Sequence, residues 1–179
     1  MKQAPYGTWR SPLAAADLAR SAISLNYVEV SEGVPYWVES RPAEGGRSVV
    51  VTAAADGAVR ELTPTRFNVR TRVHEYGGTP YVMSRDSVYF SNFADQRLYA
   101  QRPDEMPAAL PPEGYRYSDF ALADTGRQLF CVREDHTAGG EPENTIVVID
   151  TTDPGPGKVL FQGSDFVAYP RVSADGRRL

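Results

Sequence analysis

Two short polar segments hold most of the residues able to do chemistry in this 179-residue chain. The first is Arg70-Thr71-Arg72-Val73-His74-Glu75-Tyr76-Gly77-Gly78. Arg72 and Glu75 offer opposite poles for a peptide terminus or a carboxylate. Two glycines after such a run imply a backbone pressed close to a neighbour. The plainer account, which the residue types favour, is a hydrogen-bond network between neighbouring repeats. The second segment is Arg133-Glu134-Asp135-His136. Consecutive residues on a strand point to alternating faces, so these four are poorly placed to converge on a metal ion. A salt-bridged loop anchor is the expected role. Tyr76, Tyr115, Tyr117 and Tyr169 read as packing aromatics with a bonded hydroxyl.

A self-contained reaction centre is not legible. Gly-x-Ser-x-Gly is absent, and Gly163-Ser164-Asp165 is its nearest approach. Neither a Gly-x-x-x-x-Gly-Lys loop nor Gly-x-Gly-x-x-Gly occurs. The two histidines are His74 and His136, and His74-Glu75 lacks a second histidine at zincin spacing. Cys131 is the single cysteine, so no disulfide forms within the chain. Its apolar run, Leu129-Phe130-Cys131-Val132, marks it as a small core residue. The sequence therefore assigns no catalytic residue, no metal and no cofactor.

Composition narrows the partners. Hydrophobic residues make up 41% and charged ones 23%, enough apolar content for a folded core. The net charge is −4 and no basic cluster stands out, which argues against nucleic acid. Neither Val49-Val50-Val51 nor Ile146-Val147-Val148-Ile149 approaches the roughly 20 apolar residues of a membrane span. Without a signal-like apolar segment at the start, no membrane role and a cytoplasmic location are expected.

The elements that position these residues come from a repeat. An apolar strand, a Ser/Asp/Gly turn and a second apolar strand recur at 30–38, 82–90, 122–130 and 172–179. A period of about 40–50 residues built of short strands marks β-propeller blades. Short strands alone fit a β-sandwich equally well, but a sandwich has no reason to reuse one phrase at this period. Ser11 and Pro12 predict a helix start, with helix formers over 13–20. Strands are expected at 23–30, 35–40, 48–52 and 59–62, with Ala55-Asp56-Gly57 turning the last hairpin. The second repeat places them at 79–83, 88–92, 97–101 and 108–110. The third places them at 118–122, 128–133, 145–150 and 158–162. A fourth repeat offers 167–172 and 177–179. The expected fold is all-β: a partial β-propeller of about three four-stranded blades and the start of a fourth, with a short N-terminal helix. Residues 1–22 form an extension and 23–179 the incomplete propeller, with blades at about 23–66, 76–112, 115–163 and a partial one at 164–179.

Several stretches, in order, resemble the propeller of the prolyl oligopeptidase family, in its acylaminoacyl-peptidase and dipeptidyl aminopeptidase branch. They are Tyr6-Gly7-Thr8-Trp9-Arg10-Ser11-Pro12, Tyr36-Trp37-Val38-Glu39-Ser40-Arg41-Pro42, Arg72-Val73-His74-Glu75-Tyr76-Gly77-Gly78, Val88-Tyr89-Phe90-Ser91-Asn92 and Pro170-Arg171-Val172-Ser173-Ala174-Asp175-Gly176. The resemblance implies a parent serine peptidase whose triad lies in a C-terminal α/β-hydrolase domain with no matching position here. It implies that this chain is the non-catalytic part that gates access of peptide substrates. Related branches hold a substrate amine with acidic propeller residues, a role Glu75 or Glu134 could share. The candidate substrate contacts are Arg72, His74, Glu75, Tyr76, Arg133 and Glu134. The alternative is a stand-alone binding or scaffold module that closes by self-association, as a homo-oligomer, through its open blade edges.

Overall fold

A computed structural model describes residues 3–54, 56–110 and 112–179. Among the described residues, twelve strands form three antiparallel four-stranded sheets. The first contains β1 (Ser24–Ser31), β2 (Val34–Arg41), β3 (Arg47–Ala53) and β4 (Val59–Glu61), in that order. The second contains β5 (Tyr81–Met83), β6 (Val88–Ser91), β7 (Leu98–Gln101) and β8 (Ala108–Ala109). The third contains β9 (Tyr115–Leu122), β10 (Gln128–Asp135), β11 (Glu143–Asp150) and β12 (Lys158–Phe161). Each sheet is a meander in which every strand pairs with the next. The first strand of the middle sheet touches the first strand of both flanking sheets. Radial blades around an axis have this geometry, and the expected partial propeller is the observed fold.

Strand alternation explains how one sheet serves two seams. Tyr81, Val88 and Phe90 of the middle sheet join Val38 and Val50 of the first, together with Phe67 and Val69. Val82, Tyr89 and Leu98 turn the other way, onto Phe120, Leu129, Cys131, Val147 and Ile149 of the third. Successive residues thus feed opposite cores. Phe67 meets Phe90 edge-on at 5.6 Å, and Phe90 stacks on Tyr99 at 5.7 Å. Cys131 is fully buried, and burial pushes its thiol far above the ordinary value, as its core role requires.

Turn chemistry punctuates the blades. Gly57 adopts φ +81° in the β3–β4 hairpin, closed by the Ala54 N–H to Ala58 carbonyl bond of 2.8 Å. Ala55, the first residue of the expected turn, lies outside the described residues. The segments ahead of three blade turns repeat a finer device. Tyr27, Asp119 and Tyr169 all have positive φ, at 54°, 54° and 51°. Each lies four residues before its blade turn, at Ser31, Ala123 and Ser173. β1 and β9 are bulged there, between Asn26 and Glu29 and between Ser118 and Ala121.

Two local expectations are corrected. The helix α1 spans Ala15–Ser21, so Ser11 and Pro12 do not start it. The Ser11 hydroxyl instead accepts the Leu13 N–H at 3.1 Å, and the Asp17 carboxylate accepts the Ala14 N–H at 3.0 Å at the true start. Local side-chain bonding by serine competes with helix continuation. The strands expected at 167–172 and 177–179 do not form either. The intervening turn does: Ser173 N–H meets the Arg178 carbonyl at 2.9 Å, and Gly176 N–H meets the Ser173 carbonyl at 2.8 Å. The blade phrase is present here as a turn, and no described strand pairs with its arms. Among the described residues, no helix is long and apolar enough to cross a membrane.

Candidate functional site

The two polar segments singled out by sequence meet at one end of the second and third sheets. Glu134, near the end of β10, is 2% exposed. Its carboxylate accepts the backbone N–H of His74. His136 Nε2 lies 3.0 Å from its other oxygen, and Arg116 Nη1 lies 3.7 Å away. Both histidines of the chain therefore engage one buried carboxylate. His74 Nε2 lies 3.0 Å from the Val167 carbonyl, which can only accept, so this nitrogen carries the proton. His74 Nδ1 is then left facing Glu134 at 3.7 Å, buried and without a hydrogen-bond partner.

The backbone that presents His74 is strained. His74 and Glu75 both sit in the left-handed region, at φ 56° and 64°. Such a conformation costs a non-glycine residue about 1–2 kcal/mol. It is held by Glu75 N–H to the Arg72 carbonyl and Gly77 N–H to the Val73 carbonyl, both 2.8 Å. Gly78 accounts for the second glycine. A Cβ there would stand 2.8 Å from Asp119 Oδ1 and 2.9 Å from Ser118 Oγ. The same Asp119 oxygen accepts the Thr79 N–H at 2.8 Å, so the chain is drawn tightly onto β9.

Above this arrangement opens a cleft of about 660 Å³. Its lining residues include the acidic Glu75, Glu134, Glu141, Glu143 and Asp165, together with His74, Asn144 and Phe166. No lysine or arginine is among its lining residues. Asn144 ties the far wall down by donating to the Asp165 carbonyl at 3.1 Å, while its Oδ1 is buried and unpartnered. Phe166 packs on the His74 ring at 5.1 Å. Arg116 stands behind the cleft and holds Glu75 at 2.7 Å. That hydrogen bond keeps the Glu75 carboxyl below the usual carboxylate range. The arrangement favours a cationic guest: buried acid, exposed acids at the mouth, and unpartnered acceptors on the wall. Among the described residues, no group of three or more His, Cys, Asp or Glu side chains is placed to hold a metal ion.

The structure brings His74, Glu75 and Glu134 together and sends two other candidates elsewhere. Arg133 leaves the opposite face of β10, lies over the Tyr115 ring at 5.0 Å, and donates to the Pro156 carbonyl at 3.3 Å. Strand alternation forces that separation from Glu134. Arg72 makes no close ion pair with Glu75. Its guanidinium lies on Phe93, and Arg116 takes the ion-pair role. Tyr76 is 77% exposed and Tyr169 55%, so neither is the packing aromatic expected, although Tyr76 lies 5.6 Å from the His74 ring. Tyr117 does pack, 1% exposed, with its hydroxyl donating to the Pro156 carbonyl at 3.2 Å. Arg116 and Asn144 were not singled out from sequence, whereas Asp165-Phe166 reads there as a milder case of the packing aromatics. Only the position of Arg116, on the strand paired with Glu134, carried a signal.

Solved structures match over nearly the whole chain. A puromycin-hydrolyzing peptidase of Mycobacterium tuberculosis is 34% identical, with a TM-score of 0.86 over 98% of this chain and 30% of that one. Puromycin hydrolase is 32% identical, with a TM-score of 0.85 over 99% of this chain and 30% of its own. A variant of puromycin hydrolase complexed with PGG is 33% identical, with a TM-score of 0.85 over 97% and 30%. The chain thus spans 30% of the length of these neighbours. No protein-family model matches it, and no curated protein does. In fold and in a third of its sequence the chain matches part of these puromycin-hydrolyzing peptidases, in line with its resemblance to the propeller of the prolyl oligopeptidase family.

Proposed function

We propose that this chain is the peptide-admitting part of a serine peptidase, with residues 1–22 an extension and 23–179 an incomplete propeller. Its cleft receives the amine end of a peptide, with Glu134 as the buried anion and Glu75 at the mouth. Catalysis belongs to an α/β-hydrolase domain that the propeller serves as gate. The observation that carries the reading is the presence of five acidic residues and no arginine or lysine around one cleft, in a chain a third identical to peptidases. The histidines support a non-catalytic role, since both ring contacts run to Glu134 or to a main-chain carbonyl. Puromycin, the compound named for the matched peptidases, carries a free amine and suits the test. The chain should bind puromycin at least tenfold more tightly than N-acetylpuromycin, read by calorimetry. Equal binding overturns the amine assignment. Chromogenic aminoacyl and acylaminoacyl substrates should remain intact with the chain alone, and turnover would overturn the gating role.

A second reading, a module that closes by self-association, rests on exposed apolar residues at both ends of the blade series. Leu25, Val28 and Val30 on β1 are 64%, 71% and 66% exposed, and Phe161 on β12 is 48% exposed. Light scattering decides it: a monomer at high concentration rules this reading out.

A further inference from the structure

Beside the acidic cleft lies a spot of opposite charge. Arg70 and Arg72 are two residues apart in an extended stretch, so their side chains leave the same side. Both guanidiniums lie on the ring of Phe93, 4.8 and 4.6 Å from its centroid. Both residues are exposed. Among the described residues, neither guanidinium makes a hydrogen bond or close ion pair, although the charge of Arg72 acts on Glu75 through space. Arg41, Arg47, Arg85, Arg97, Arg116 and Arg127 pair with acids, and Arg66, Arg133 and Arg171 each lie over a ring of their own, whereas Arg70 and Arg72 share one ring. Two cations on one ring, with no carboxylate bonded to either, repel each other unless an anion joins them.

The pair is held in place. Arg70 N–H donates to the Ser91 carbonyl at 3.1 Å, and Phe93 N–H donates to the Asn68 carbonyl at 2.8 Å. Arg72 N–H donates to Gln96 Oε1 at 2.7 Å. A guanidinium stacked on an aromatic ring gives up its face and keeps its N–H edge free. That edge matches the two oxygens of a carboxylate. Stacking also removes rotamer freedom before any ligand arrives. Arg116 joins the spot to the cleft, its Nη1 donating to the Arg72 carbonyl at 3.1 Å and to Glu75 at 2.7 Å.

We infer that Arg70 and Arg72, clamped on Phe93, form a carboxylate site for a peptide whose amine enters the neighbouring acidic cleft. The inference rests on the amine reading of that cleft, and it adds the second pole of the ligand. A carboxylate fits better than a phosphate dianion, because Glu75 and the cleft repel the second negative charge.

The test uses tetra-alanine in four forms, titrated into the 179-residue chain at low salt: both termini free, N-acetylated, C-amidated, and blocked at both ends. Amidation should weaken binding about tenfold, the scale of one charge-assisted contact. R70Q/R72Q should erase the difference between acid and amide and keep the effect of acetylation, with an unchanged melting temperature. An amidated peptide carrying an internal glutamate that regains the affinity supports the same site, filled by a side-chain carboxylate. Amidation without effect, or an acid–amide difference that survives in R70Q/R72Q, overturns the carboxylate site and leaves the amine reading standing. Acetylation without effect removes the amine reading instead. Stronger competition by inorganic phosphate than by acetate, or no binding of any form at millimolar concentration, also overturns the inference.

Discussion

Two charged clusters of this molecule use the same residue types to different ends. On the first blade, Arg41 reaches Glu39, Glu44 and Glu61, and Arg47 reaches Glu44 and Glu61. Every carboxylate of this ladder has a guanidinium, and the leftover buried atom is Arg47 Nη1. At the seam between the second and third blades, Glu134 is buried beneath a cleft, with a strained backbone and unpartnered His74 and Asn144 atoms around it. Charge density alone does not separate the two. Satisfaction does: a ladder in which every carboxylate is hydrogen-bonded locks strands together, whereas buried groups left short of partners beside open space are poised for a ligand.

The sharpest way to break this contrast is at Glu134. E134A removes the acceptor of the His74 N–H and the partner of the His136 imidazole, in a site 2% exposed. It should cost about 3 kcal/mol in denaturant melts, the scale of orphaning buried polar partners. A loss near zero would mean that the cluster is no more than a surface anchor. Next in size is G78A. The new methyl meets Asp119 and Ser118 at under 3.0 Å, and should cost about 2 kcal/mol. It should also lower affinity for puromycin, because the same stretch sets the pose of His74. An unchanged Tm together with unchanged binding would sever the backbone strain from the site.

The first-blade ladder predicts smaller effects. Glu61 is 43% exposed, so E61Q should cost only about 0.5 kcal/mol after solvent screening, and the loss should shrink further at high salt. A cost equal to that of E134A would erase the contrast. The smallest signal is in pH. The hydrogen bond from Arg47 holds Glu44 below the usual carboxylate range, and that from Arg41 does the same for Glu61. A folded-state value below the unfolded one means stability that is complete above the ordinary carboxylate pKa of about 4.3 and lost as pH falls through the depressed values. Tm should therefore drop between about pH 4 and pH 2 less steeply in E61Q than in the native chain. Identical slopes would remove the ladder from the acid response.

The blades were legible because their signals are local. The Ala123-Asp124-Thr125-Gly126 and Ser173-Ala174-Asp175-Gly176 turns declare themselves, and Val147 and Ile149 alternate with Val148 and Asp150 as a strand requires. The helix start failed on the same ground: Ser11-Pro12 is a good cap, but its hydroxyl closes a turn before the helix begins. The fourth-repeat arms failed because a strand is defined by a partner, and none pairs with them among the described residues. Half of the site was legible as well. The polar runs at 70–78 and 133–136 were visible as anomalies of composition, and Glu134 and His74 lay among the named residues.

What the chain's own order of residues settled is the repeat, the turns and the inward–outward alternation, since each depends on neighbours a few positions away. Tertiary packing decided which charges meet. It carried His74 to Glu134 across 60 residues, gave Glu75 to Arg116, and left Arg72 to share Phe93 with Arg70. Those pairings follow from the radial stacking of one blade on the next, which sets the distance between side chains that no local pattern connects.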